Sequence, residues 1–79
     1  METLNLYLVQ REDTIDPNQY DSIVAASKDS ERARRILPTR SAIEDGTWIT
    51  DSYYIRVMLI GTTTIYGEGC VIHKSFKAG

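Results

Sequence analysis

Cysteine, histidine and proline are scarce in this chain, with one, one and two copies respectively, and each shortage closes off a class of explanation. Cys70 alone can form neither an intramolecular disulfide nor a cysteine-based zinc site, so a reducing, intracellular setting is expected. No run approaches the ~20 apolar residues of a membrane span. The opening METLNLYLVQ has an acid at position 2 and no long apolar core, so the reading is a soluble cytoplasmic protein with no membrane partner. Excess charge is also missing. The net charge is −2 and the pI near 5.2, which leaves no basic balance for neutralising phosphates. Nor does it approach the one negative charge per ~1.7 Å of a DNA duplex, so nucleic acid is disfavoured as a partner and DNA mimicry as a device. Gly61, Gly67 and Gly69 do not precede a helix and make a poor phosphate cradle. The acids gather at Glu12, Asp13, Asp16 and Asp21 and again at Glu44, Asp45 and Asp51, without the alternating spacing of a calcium loop. No metal or other cofactor is expected.

What remains is a small globular chain of 79 residues, 42% hydrophobic and 25% charged, read as one domain over residues 1–79. Leu4, Leu6 and Leu8 alternate with Asn5, Tyr7 and Val9, the period of two that marks a strand over 4–10. REDTIDPNQY has the composition of a hairpin loop and leads into a second strand over 21–26. Ser27 then stands where a helix cap belongs, with Asp29 and Glu31 in the first turn and Ala33, Ile36 and Leu37 on one stripe. Pro38 ends that helix, giving an expected span of 27–37. Residues 39–51 read as an ordered loop anchored by Ile43 and Trp48. Strands follow over 53–60 and 70–76. The expected fold is α+β: ββαββ, a four-stranded antiparallel sheet with one helix packed on one face.

A single helix covers one sheet face, and two faces here are apolar. If Leu4, Leu6, Leu8, Ile55, Val57, Leu59, Ile72 and Phe76 lie under the helix, the other face carries Tyr7, Val9, Val24, Met58, Ile60, Val71 and His73. Monomers seldom expose apolar patches above a few hundred Å². Self-association as a homodimer through Tyr7, Val9, Met58 and Val71 is therefore expected, the alternative being that the 39–51 loop folds over this face.

Catalytic residues are not expected. His73 has no visible base, nucleophile or orienting partner, and Cys70 between Gly69 and Val71 reads as a small hydrophobe with no cation to make it a thiolate. Tyr20, Trp48, Tyr53 and Tyr54 sit in or beside loops, where aromatic side chains give large contact area at low entropic cost. With Arg32 and Arg35 they form the expected partner-binding set. Arg32, Arg34, Arg35 and Arg40 are the only basic concentration, interrupted by Glu31, and read first as a solvated helix surface.

The segments LYLVQR, YDSIVAAS, SERARRILP, IRVMLIG and GCVIHKSFKAG, with Trp48 between them, resemble a group of small uncharacterised proteins of tailed bacteriophages. The resemblance covers most of the chain and carries no known activity. It implies phage origin, action in the host-cell cytoplasm, and the habit of compact phage proteins of binding and blocking or remodelling host complexes, including CRISPR and other defence systems. The expected function is thus noncatalytic inhibition through contact with a host protein. Two alternatives remain open: an enzymatic or small-ligand-binding domain with a pocket between the sheet and the 39–51 loop, and a nucleic-acid accessory protein using Arg32, Arg35 and Arg40.

Overall fold

The computed structural model describes residues 2–77, so Ala78 and Gly79 of the SFKAG ending lie outside the described residues. The alternating segments pair as expected into one antiparallel sheet: β1 (Leu4–Arg11), β2 (Gln19–Ser27), β3 (Ile55–Thr63) and β4 (Val71–Lys77), in the spatial order β3-β1-β2-β4. The hairpin loop after β1 turns through Asn18, whose φ of 67° is left-handed, a conformation asparagine tolerates. With α1 (Ser30–Arg34) packed against the sheet, the chain is a small α+β domain.

The helix starts later than its composition suggests. Ser27 does not cap it but remains in the β1–β2 ladder opposite Asn5, fully buried. The cap is Asp29, in extended conformation, whose carboxylate accepts from the Arg32 amide at 2.8 Å. At the other end the Arg35 and Ile36 amides donate to carbonyls three residues back, which tightens the last turn before Pro38 stops it. Five helical residues cannot roof a four-stranded sheet. Residues 36–50 complete the roof. They form successive turns pinned by Asp45 N–H to Ser41 O (2.8 Å) and Thr47 N–H to Ala42 O (2.9 Å), with Gly46 at a φ of 70°. The Tyr20 amide donates to Thr47 O (2.9 Å) and the Gln19 side-chain amide to Gly46 O (2.7 Å), fastening the turns to β2.

Strand β1 is turned over relative to the sequence expectation, and Val71 with it, whereas Ile55 and Val57 lie beneath α1 and Val24, Met58 and His73 on the opposite face as expected. The core beneath α1 holds Tyr7, Val9, Ile23, Ala25, Ala33, Ala42, Trp48 and Ile55, with Val57 and Val71 packed against it. Tyr7 and Val9 are therefore interior residues and Val71 lies on their side. Of the four expected self-association residues only Met58 is on the uncovered face. That face carries the leucine ladder: Met58, Leu8, Val24 and His73 form one row, and Gly61, Leu6 and Ala26 the next. The reason is topological. β2 and β3 flank β1 and run parallel to each other, so the segment through α1 is a crossover, and such connections are right-handed in nearly all proteins. With this strand order a right-handed crossover passes over the Tyr7 and Val9 side. Counting leucines cannot anticipate that. The 39–51 segment, through Ala42, Ile43, Trp48 and Ile49, folds over the Tyr7 and Val9 face, which is the expected alternative to self-association there, and it lies on the same side as α1.

Candidate protein-binding surface

Asp51 begins the site. Its carboxylate accepts from the Tyr53 amide at 3.0 Å and caps a 3₁₀ turn, Ser52–Tyr54, immediately before β3. The turn projects two tyrosines, stacked edge to face with ring centroids 5.1 Å apart; Tyr53 is 84% exposed. Arg34 reaches from α1 to donate to the Ser52 carbonyl (3.2 Å) and to the Ile55 carbonyl, bolting the helix to this turn. Between helix, turn and roof lies a cleft of about 260 Å³ with walls of Leu37, Ile43, Trp48, Ile49 and Ile55 and with Arg34 and Arg35 on its lining. Tyr53 and Tyr54 sit between two of its lining residues, Ser52 and Ile55. Among the described residues no acid lies within ion-pair distance of Arg34 or Arg35. The arrangement sets an apolar hollow with unneutralised positive charge beside a turn that carries two exposed tyrosines.

The residues expected to bind a partner divide into three groups. Arg35 lines the cleft, and Tyr53 and Tyr54 are exposed on the turn between its lining residues Ser52 and Ile55. Trp48 reaches it too, but as a wall: it is 5% exposed, a core residue and no free anchor. Its burial follows from the roof, which has no other side chain of that size to span the distance to Tyr7 and Val9. Tyr20 and Arg32 lie elsewhere. Tyr20 is half-buried against the core, edge-on to Phe76 at 4.9 Å and beneath the Lys74 ammonium, 5.8 Å from its ring centre. Arg32 is shared between Asp29 (3.5 Å) and Glu68 (4.0 Å). Arg40 lines a different opening with Ile36, Pro38 and Gly69, so Arg32, Arg35 and Arg40 do not share one surface depression. His73 is exposed on β4, Cys70 is a half-buried free thiol, and no group of three potential metal ligands occurs among the described residues.

Two arginines escaped sequence reading. The sequence places Arg34 on the helix surface, whereas in the structure it is the bolt described above. Arg11 extends the Tyr7, Val9 alternation by one inward step and is buried; it pairs with Asp13 at 2.6 Å, donates to the Tyr20 carbonyl at 3.2 Å and lies over the Trp48 ring at 5.9 Å. The Arg11 hydrogen bond holds the Asp13 carboxyl below its ordinary value of 3.8. The signal was present in the continuing period of two, once the inward face is known. No helix among the described residues is long and apolar enough to cross a membrane. Comparison of the chain with family models, curated proteins and solved structures finds no match.

Proposed function

We propose that the chain is a noncatalytic protein-binding module that engages its target through Tyr53, Tyr54 and Arg35 around the cleft. One observation carries the reading: a tyrosine pair, exposed and prestacked, beside an apolar hollow whose arginines have no acidic partner within the described residues. Tyrosine and arginine are the side chains that dominate binding energy where a partner seals them from water. The complementary target is a protein segment with one apolar side chain to enter the cleft and acidic residues beside it. The bacteriophage resemblance makes a host protein, such as a component of a defence complex, the natural source of that segment, with obstruction of the complex as the consequence.

A small-molecule site in the same cleft is the second reading. Its volume of about 260 Å³ falls below the ~300–1,000 Å³ usual for such sites, which favours a single inserted side chain. The nucleic-acid reading loses ground because Arg32 is already paired and Arg40 lies at another opening. The test is affinity capture from infected bacteria. Wild type is expected to recover one host protein in stoichiometric amount, and folded Tyr54→Ala or Arg35→Glu to lose it. Truncating a desolvated anchor costs about 2 kcal/mol, roughly thirtyfold in affinity. Equal recovery by wild type and both variants would reject this surface.

A further inference from the structure

The sheet has two edges, and they are not alike. On β4 the outer strand carries His73, Lys74 and Lys77, and exposed charge of this kind discourages pairing with another chain. On β3 the stretch from Val57 to Thr63 contains no charge and no proline, and Leu59 and Ile60 are 62% and 53% exposed. Leu59 and Ile60 therefore lie beyond the roof, which reaches Ile55 and Val57 at the start of β3.

Its backbone can be assigned group by group. The Glu12 amide donates to the Tyr54 carbonyl, and the register continues Arg11 opposite Ile55 and Gln10 opposite Arg56. Antiparallel strands alternate hydrogen-bonded and non-bonded pairs. The N–H and C=O groups of Tyr54, Arg56 and Met58 therefore face β1, and those of Ile55, Val57 and Leu59 face outward. Arg34 already occupies the Ile55 carbonyl, an independent sign that it points away from β1. Beyond Leu59 the register shifts, with Leu6 opposite Gly61 and Tyr7 opposite Leu59, which makes Ile60 a bulge. The free, regular edge is thus short and bounded: Val57 and Leu59, closed by an arginine at one end and a bulge at the other.

We infer that this edge pairs with the same edge of a second copy, antiparallel, with Met58 on the two-fold axis. In that register Val57 of each copy exchanges both backbone bonds with Leu59 of the other, giving about four new hydrogen bonds and using every free group of the bounded segment. Leu59 meets Val57 on the α1 side, and Met58 meets Met58 on the leucine face. The register centred on Arg56 would instead oppose two like charges and compete with Arg34 for the Ile55 carbonyl. A two-fold normal to the sheet joins the four strands of each copy into one sheet and leaves the 3₁₀ turn with Tyr53 and Tyr54 beyond the paired segment. The inference does not rest on the proposed binding surface, which adjoins the paired edge at Arg34 and Ile55.

Amide exchange combined with mass measurement tests it. At high micromolar concentration the wild type is expected at twice its monomer mass, and the Val57 and Leu59 amides are expected to exchange more than about tenfold slower than in dilute protein. Leu59→Pro removes an outward donor while sparing the β1 ladder and should give a folded monomer; Leu59→Lys is the second variant should proline disturb the strand. Met58→Cys in a Cys70→Ser background should crosslink spontaneously, since a non-bonded antiparallel pair brings Cα atoms to about 4.5 Å. A monomer throughout the concentration range, or a dimer whose Val57 and Leu59 amides still exchange freely, would overturn the inference.

Discussion

Replacing Ser27 and Asp29 by alanine, one at a time, separates two accounts of how the helix begins, because they differ in sign. If Ser27 were the cap, Ser27→Ala would cost about 1 kcal/mol and Asp29→Ala much less. In the structure the Ser27 hydroxyl is fully buried without a hydrogen-bond partner, and its backbone belongs to β2. A buried polar group left unpaired carries a desolvation penalty of about 1–3 kcal/mol, which alanine removes while leaving a void no larger than one oxygen. Alanine's weaker strand preference returns a few tenths. Ser27→Ala is therefore expected to stabilise by about 1 kcal/mol, raising Tm by about 4–8 °C in a domain of this size. Asp29→Ala removes the acceptor for the Arg32 amide and should cost about 1 kcal/mol, lowering Tm by a similar interval. The exposed Asp29–Arg32 pair adds little. Thermal melting by far-ultraviolet circular dichroism reads both. A lower Tm for Ser27→Ala beside an unchanged one for Asp29→Ala would refute the assignment.

Trp48→Ala should act on folding: truncating a buried tryptophan costs about 3–5 kcal/mol, a large part of the roughly 4–12 kcal/mol a chain of this length possesses, and urea titration should find it largely unfolded. Tyr53→Ala, at an exposed position, should melt within a few degrees of wild type. Because Arg11 depresses the Asp13 pKa in the folded state, ionised Asp13 favours folding above its unfolded value of 3.8, and that contribution fades as pH falls through the lower folded value. Acid titration of Asp13→Asn should accordingly give a flatter stability curve below about pH 4 than wild type, on a lower plateau at neutral pH because buried Arg11 has lost its partner. His73→Ala and Cys70→Ser should retain full activity in a host-inhibition assay; loss in a folded variant with partner binding intact would move catalysis to first place.

The strands were legible because alternation is a local signal: Leu4 to Val9 and Ile55 to Ile60 declare themselves without reference to the rest of the chain. Which face turns inward is not local. It depends on β3 joining the sheet beside β1 and β4 beside β2, and on the hand of the crossover between β2 and β3. The leucine ladder is the more hydrophobic side by composition, and the fold nonetheless roofs the side with Tyr7, Val9 and Ala25, where small residues admit the short helix. That single inversion accounts for Tyr7 and Val9 being interior. Trp48 misled for a related reason, since a tryptophan in a polar loop reads as exposed until the loop is known to be a roof. Tyr53, Tyr54 and Arg35 are exposed, as the sequence suggests, but the placing of the tyrosine-bearing turn beside the arginine-lined cleft depends on the 3₁₀ turn and the helix meeting in space.

The binding surface is tested most directly by placing a photoreactive phenylalanine analogue at position 53 and, as a control, at position 76 on the other edge of the sheet, then irradiating infected cells. A single host protein crosslinked from position 53 and not from position 76 is the predicted result. Crosslinking of the same protein from position 76 alone, or of none from position 53 in a folded variant, would contradict it.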